Sequence, residues 1–177
     1  MVKKILLIIA PAIAVIAQLS LLSALPAPFW TLNILVVYGV LALFLSGGSP
    51  ALWHALAFGF VLDVYSPYPF GVYIMSLGAA LALARLCLGW FFTNKSLYSL
   101  ILLVLLATFF FAGALAFIIR LSYGFTGNLL YYQAWSVSYW KNILYGAVGN
   151  VVLSVISFYV TNYFSNIFQP FFIRRNK

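Results

Sequence analysis

GFVLDVYSPYPFGVYIMSLGAALALARLCLGWFFTNKS, residues 59–96, holds two apolar segments joined by a turn, together with Asp63, the only acidic side chain of the chain. The turn, residues 66–71, is rich in Ser, Pro and Gly and predicts a break between two helices. A carboxylate in lipid costs up to about 2.5–3.5 kcal/mol at a helix centre and less towards the interface. We therefore expect Asp63 to have either a bonding partner or a function.

The composition of the whole chain is that of an integral membrane protein. Of its 177 residues, 66% are hydrophobic and 6% are charged, whereas about 25% charged residues is usual for a soluble domain. The apolar runs are continuous and up to about twenty residues long, which favours helices over the alternating strands of an outer-membrane barrel. Helices also satisfy their own backbone hydrogen bonds in lipid. The expected fold class is therefore an all-α membrane protein.

The apolar segments predict about six transmembrane helices in a single polytopic domain, residues 1–177. The expected helices cover residues of about 5–25, 32–45, 51–65, 72–92, 97–119 and 142–164. The first is expected to be retained rather than cleaved as a signal peptide, because no small-residue cleavage site follows it. The second and third are short, since a spanning helix needs about 20 residues. Residues 129–140 are expected to lie along the membrane interface.

The basic residues predict how these helices are oriented. The nine basic residues give a net charge of +8 but are spread over the ends of apolar segments, so we expect contact with membrane lipids and no binding of nucleic acid. With both termini in the cytoplasm, only Arg120 and Lys141 lie in outer loops. The inner side then holds Lys3, Lys4, Lys95, Arg174, Arg175 and Lys177. This distribution follows the positive-inside rule and predicts cytoplasmic termini.

Few side chains in this sequence could carry out acid–base or metal chemistry. The chain has one Asp, no Glu and one His, so a carboxylate pair is excluded. His54 and Asp63 are nine residues apart, which places them roughly 13 Å apart along one helix and on opposite faces. Cys87 is the only cysteine, which excludes an intramolecular disulfide and favours a small buried side chain. We expect no enzyme activity, no cofactor and no metal site.

Asp63 itself has two compatible interpretations. The structural one is an ion pair with Arg120 or Lys141, or hydrogen bonds to the Ser66 hydroxyl and nearby amides of the turn. The functional one is contact with a helix or loop of a partner protein at the outer face. Arg85 lies about fourteen residues into its helix, roughly 20 Å deeper, and is a poor partner. It either snorkels to the interface or contacts a neighbouring protein or a lipid phosphate.

Three short motifs resemble the MreD family of bacterial rod shape-determining proteins. They are GFVLDVYSP at residues 59–67, PFG at residues 69–71 and FTNKS at residues 92–96. In that family a G-x-x-x-D-x-x-S/T turn is followed by a p-x-G helix opening and often by an F-T-N-R/K-S loop. The family's second segment opens with a Pro-Asp-Leu-like element, and residues 31–34, TLNI, lack both its proline and its acid.

The resemblance implies a non-catalytic scaffold of the cell-elongation machinery, which makes peptidoglycan, in the bacterial cytoplasmic (inner) membrane. The implied partners are an MreC-like membrane protein, and through it MreB filaments, a RodA-type glycosyltransferase and a penicillin-binding transpeptidase. The implied fold is similar to that of the S-components of energy-coupling factor (ECF) transporters. Structural or partner-binding roles are expected for Gly59, Asp63, Ser66, Pro67, Gly71, Arg85 and Arg120.

Two other functions stay open on the sequence alone. The chain could be the substrate-binding membrane subunit of an ECF-type uptake transporter, although its outer loops lack an obvious set of polar ligand-binding groups. It could also be a lipid-handling protein that moves a wall precursor across the bilayer. That function requires a polar cavity within the membrane, and only Asp63 and Arg85 could place a charge in it.

Overall fold

The computed structural model describes residues 12–21, 24, 26, 31–46, 49–91, 96–126 and 136–172. Within this part of the chain the secondary structure is helical, and no strand occurs. The elements are a π-helical turn, π1 (Ala17–Leu21), and five α-helices: α1 (Ile34–Ser46), α2 (Ser49–Tyr65), α3 (Val72–Trp90), α4 (Leu97–Thr126) and α5 (Val137–Phe172). The predicted all-α fold class is confirmed. The start of the first predicted helix, motif residues 92–95 and the charged termini lie outside the described residues.

Three of these helices are long and apolar enough to cross a membrane: Val72–Trp90, Leu97–Ser122 and Val137–Tyr163. Two shorter apolar helices, Ile34–Leu45 and Ala51–Tyr65, match the segments that the sequence predicted to be short. Three expected boundaries need correction, and one of them is the end of α5, which lies at Phe172 and not near residue 164. α4 continues past Arg120 to its end at Thr126, and α5 begins at Val137, so residues 137–140 form its first turn. Polar side chains at residues 120 and 141 therefore do not end these helices.

The short helix α1 occupies the centre of the bundle. It packs against π1 and against the four other α-helices. Leu35, Val36, Val40 and Leu43 on this helix are fully buried. A helix that is apolar all round is stable when neighbours cover every face. The burial of α1 therefore accounts for a helix too short to span a bilayer alone.

Three helices begin with a local side-chain cap. Asn33 accepts a hydrogen bond from the N–H of Val36 at the start of α1, and Ser96 and Ser136 do the same for α4 and α5. These caps satisfy amides that have no acceptor inside the helix. α3 differs, because it begins after Gly71, which has no side chain to accept such a bond. Its cap comes from elsewhere in the chain.

Candidate functional site

Asp63 lies in the last turn of α2, and its side chain is 4% exposed. Its Oδ1 accepts a hydrogen bond from the backbone N–H of Tyr73 at 2.8 Å, and its Oδ2 accepts one from Ile74 at 3.1 Å. Both amides belong to the first turn of α3. Asp63 therefore caps α3 across the turn, and its negative charge faces the positive end of that helix dipole. We call Gly59, Asp63, Gly71, Tyr73 and Ile74 the Asp63 cap.

With this cap, the first four amides of α3 all have acceptors. The N–H of Val72 donates to the carbonyl of Pro69 at 3.4 Å, and that of Met75 donates to Gly71 at 2.9 Å. The two amides between them donate to Asp63. A buried amide without an acceptor costs about 1–3 kcal/mol. The carboxylate thus completes the start of α3, which has no local alternative.

Gly59 lets the two helices approach closely enough for this bonding. It lies one helical turn before Asp63 and therefore on the same face of α2. A Cβ atom at residue 59 would lie 2.5 Å from the Cα of Ile74 and 2.9 Å from its backbone nitrogen. That nitrogen is the one that donates to Asp63 Oδ2. The spacing Gly-x-x-x-Asp is therefore that of a close helix contact followed, one turn later, by a cap.

The turn between α2 and α3 uses the other residues of the motif. Gly71 has φ +98°, a left-handed conformation that side-chain-bearing residues rarely adopt. The Ser66 hydroxyl accepts a hydrogen bond from the N–H of Tyr68 at 3.0 Å, and Pro67 is exposed. The structure thus brings Gly59, Asp63, Ser66, Pro67 and Gly71 together at one end of the bundle. We call it the turn end.

Of the two arginines of the expected site, Arg85 lies apart from this cap. Arg85 is exposed on α3, fourteen residues after Gly71 and so roughly 20 Å along the helix. Arg120 is exposed on α4, next to Ile119, which packs against Val72. The bonds that the described residues make to the Asp63 carboxylate come from two amides, and not from Arg120 or Lys141 as the ion-pair interpretation expected. The alternative interpretation expected the Ser66 hydroxyl and amides of the turn; the donors are indeed backbone amides, but they belong to the first turn of α3.

A second polar cluster fixes the start of α1. Asn150 on α5 is fully buried. Its Oδ1 accepts a hydrogen bond from the backbone N–H of Asn33 at 2.8 Å, and its Nδ2 donates to Thr108 Oγ1 at 3.2 Å. This amide group therefore links α5, α4 and the residue before α1. Buried polar groups held in this way rigidify the bundle where they occur.

Gln18 holds the same helix start from the other side. Its Oε1 accepts a hydrogen bond from the N–H of Ile34 at 2.8 Å, and its Nε2 donates to the carbonyl of Leu32 at 3.3 Å. We call Gln18, Asn33, Thr108 and Asn150 the polar junction. Through it, π1, α4 and α5 together hold the N-terminus of the central helix.

Two glycines of α5 bring this junction together. A Cβ atom at Gly146 would lie 2.5 Å from the carbonyl oxygen of Thr31, and one at Gly149 would overlap the side chain of Leu32. Gly146 is one turn before Asn150, so the contact and the amide share one face of α5. This arrangement repeats that of Gly59 and Asp63, with a neutral amide in place of the carboxylate.

A cavity of about 550 Å³ opens beside these two clusters. All four residues of the polar junction and Tyr73 of the Asp63 cap contribute to its wall. Ser136, Ser138 and Asn142 extend the polar lining along the start of α5. The volume lies within the roughly 300–1,000 Å³ of small-molecule sites. The cavity is therefore large enough to receive a ligand at the turn end.

Sequence reasoning did not find the polar junction or the cavity. Gln18, Thr108 and Asn150 were each a single polar residue in an apolar segment, and their partners are 16, 42 and 117 residues away in the chain. The available signal was Gly146, Gly149 and Asn150 together, since small residues beside an amide on one helix face mark a close contact in membrane proteins. That pattern identifies the α5 side of the polar junction but not its partners Gln18, Asn33 and Thr108.

The remaining titratable groups form no metal site in the part of the chain that is described, where no three His, Cys, Asp or Glu side chains come together. His54 packs beside the rings of Tyr38 and Phe58, with centroid distances of 5.9 and 6.1 Å, and those two rings are themselves 5.4 Å apart. Its Nδ1 is buried and has no hydrogen-bond partner among the described residues. Cys87 is partly buried and free.

Comparison with known proteins gives one match. A family model described as rod shape-determining protein MreD matches residues 1–164. No curated protein and no solved structure matches the chain. The expected likeness to the S-components of ECF transporters therefore stays a prediction.

Proposed function

Because the chain belongs to the MreD family of rod shape-determining proteins, we propose that it is a non-catalytic membrane scaffold of the bacterial cell-elongation machinery. In this role it binds an MreC-like membrane protein and, with it, a RodA-type glycosyltransferase and a penicillin-binding transpeptidase. The single observation that carries the proposal is the family match over residues 1–164. The match covers both the Asp63 cap and the polar junction.

The chemistry of the described residues agrees with a scaffold. The only carboxylate of the chain is bonded to two amides of a helix start, so it is occupied by a structural task. The buried amide of Asn150 likewise joins helices. A protein that uses its polar groups in this way has a rigid surface. Its role is then to bind partner proteins on that surface.

The proposed location is the cytoplasmic membrane, as a single domain of six spans with both termini in the cytoplasm. Three helices of sufficient length and apolarity support a membrane location. The outward faces of α4 and α5 are apolar, with Leu102, Phe109, Phe117 and Val152 among the exposed residues. Helices of partner proteins can pack on such faces as lipid does. The turn end would then face outwards.

The test is affinity purification of the tagged protein from its native membrane in mild detergent, followed by mass spectrometry. We expect the MreC-like protein and the RodA-type synthase among the recovered proteins. As a control, Trp53→Ala changes an exposed residue of α2 ten residues before Asp63, and we expect it to recover the same proteins. Recovery of transporter ATPases instead would contradict the proposal and favour the uptake function.

A further inference from the structure

The cavity at the turn end has a polar wall whose groups are held in place before any ligand arrives. Asn150 and Thr108 are bonded to each other, and Gln18 and Asn33 bond the start of α1. Gln18, Thr108 and Asn150 each bond a residue of another element, and the Asn33 side chain caps its own helix at Val36. The amide and hydroxyl groups therefore present a pre-organised surface to the cavity, as small-molecule sites usually do.

The rest of the lining is aromatic and aliphatic. Tyr73 is 6.4 Å from Phe111 and 6.3 Å from Tyr68, measured between ring centroids, and all three rings line the cavity. Leu115 and Ile119 continue this wall along α4. The hydroxyl of Tyr139 is bonded to the carbonyl of Ala112, which holds α5 against the same wall. The lining thus combines aromatic rings with hydrogen-bonding groups.

No charged side chain lines the cavity among the residues that the structure describes. Asp63, Arg120 and Lys141 each adjoin a lining residue in the chain, yet none of them belongs to the wall. Burying a charged ligand without a partner of opposite charge is costly. The lining therefore selects against anions and cations, including phosphates.

We propose that this cavity binds an uncharged ligand with hydroxyl or amide groups on one side and an apolar face on the other, which is the chemistry of a neutral sugar ring. The ring edge would meet Asn142 and the partly buried Gln18 of the polar junction, and the C–H face would lie on the rings of Tyr68 and Tyr73. The ligand is either a free neutral sugar or the head group of a neutral glycolipid. The inference does not depend on the scaffold function, because it rests on the cavity alone.

The test measures binding of labelled N-acetylglucosamine to the purified full chain by equilibrium dialysis. The protein is held in nanodiscs free of glycoside detergents, because their head groups would compete. The competitor is N-acetylglucosamine 6-phosphate, which has the same ring and a charge. We expect saturable binding of the neutral sugar and at least about tenfold weaker competition by the phosphate.

Two variants and one control place that binding in the cavity. Leu115→Trp fills the cavity, and Asn142→Leu removes hydrogen-bonding groups from its wall without a large change of size. Each should weaken binding at least about tenfold. The control is Leu102→Trp, on the outward face of α4, the helix that carries Leu115. Leu102 is 53% exposed, and this variant should bind the sugar as the parent does. If the Leu115→Trp protein does not fold, the Asn142→Leu variant alone still tests whether the sugar binds in the cavity.

The source of the ligand follows from a second probe, octyl N-acetylglucosaminide. Much tighter binding of the octyl probe indicates a glycolipid head group, and equal binding indicates a free sugar. The proposal is overturned by three results: no saturable binding of either neutral probe, equal competition by the phosphorylated sugar, or unchanged binding in correctly assembled Asn142→Leu protein.

Discussion

At the scale of single residues, the chain uses its one acidic side chain to begin a helix. A buried carboxylate is stable when several hydrogen bonds and a favourable dipole compensate its lost hydration. Asp63 has two backbone donors and the N-terminus of α3. Gly71, at the position of a normal cap, offers a left-handed turn but no acceptor. Gly71 therefore provides the turn conformation, and Asp63, eight residues earlier, provides the hydrogen-bond acceptors of the cap.

Replacing Asp63 should destabilise the protein in steps that follow the number of lost acceptors. Asp63→Ala leaves the amides of Tyr73 and Ile74 without acceptors, and we expect a loss of about 2–4 kcal/mol in the free energy of unfolding. Asp63→Asn keeps one acceptor and loses the charge, for about 1–2 kcal/mol. Thermal unfolding in mild detergent measures both. Equal stability of parent and Asp63→Ala would contradict the capping role.

The sequence predicted that Asp63 needs a partner but could not identify that partner alone. The candidates were the cations Arg120 and Lys141, because opposite charges are the usual compensation in lipid, or the Ser66 hydroxyl and nearby amides of the turn. The actual donors are backbone amides, which every residue carries and which no sequence pattern marks. The only indirect indication of these donors was Gly71, which has no side chain to cap the helix that follows it. Local caps such as Ser96 follow directly from the sequence, because donor and acceptor are three residues apart.

Gly59 should tolerate no side chain, although it lies in a helix, where alanine is normally preferred. Gly59→Ala would push the backbone of Ile74 away and lengthen the bond to Asp63, so we expect a loss of about 1–3 kcal/mol. Gly113→Ala is the matched control, because nothing lies within 4 Å of a Cβ atom there. It should be neutral or stabilising by up to about 1 kcal/mol. Similar effects of the two substitutions would contradict the close contact.

At the scale of elements, the start of α1 is held by three separate parts of the chain. The helix is central and short, and its first amides are bonded to Gln18 and Asn150. A helix end buried without such partners would lose several hydrogen bonds. The glycines at 146 and 149 allow α5 to reach this end. The position of α1 in the bundle is thus determined by polar bonds at its start and by apolar packing along its length.

Asn150→Ala should destabilise the bundle by about 1–3 kcal/mol, because it leaves the N–H of Asn33 without its acceptor. Thr108→Val should cost less, since only one bond is lost. The double variant should show a coupling of about 0.5–1 kcal/mol between the two sites. Asn162→Ala on the exposed face of α5 is the control and should have little effect. Additive costs of the two substitutions would show that the side chains do not interact.

The existence of the helices followed from the sequence, and so did the end of α2 at Tyr65 and the starts of α3 at Val72 and α4 at Leu97, but the end of α4 and both ends of α5 did not. Continuous apolar runs predict helices, because lipid leaves the backbone no other acceptors. The fifth helix was expected to end near residue 119 and the sixth to begin near residue 142, next to Arg120 and Lys141. α4 and α5 instead continue through these residues, with exposed side chains. A helix that leaves the hydrocarbon region keeps its own hydrogen bonds, so polarity marks the membrane boundary and not the end of the helix.

At the scale of the whole molecule, the orientation in the membrane is open to a direct test. In a Cys87→Ala background, Pro67→Cys places a thiol in the exposed turn, and Tyr98→Cys places one at the exposed start of α4. With cytoplasmic termini, a membrane-impermeant thiol reagent added to intact cells should label residue 67 and leave residue 98 unlabelled. Permeabilised cells should allow labelling of both. Labelling of residue 98 alone in intact cells would reverse the proposed orientation.

The last prediction separates a structural Asp63 from one that touches a partner. The side chain is 4% exposed, and its oxygens are bonded to amides within the protein. Substitution should therefore impair rod shape only as far as it lowers the amount of folded protein in the membrane. In a rod-shaped bacterium depleted of its own MreD, the order of rescue should follow the order of stability: parent, Asp63→Asn, then Asp63→Ala.

The decisive comparison is between cell shape and protein amount in the same cells. Raising expression of Asp63→Asn until its folded amount equals that of the parent should restore both rods and recovery of the MreC-like protein. Gly59→Ala protein, raised to the same folded amount, should also restore rods and partner recovery, because the substitution weakens the same cap and leaves the carboxylate in place. An Asp63→Asn protein that is present at parental levels but recovers no partner would assign the carboxylate to the interface itself. That result would require the cap to open when the partner binds.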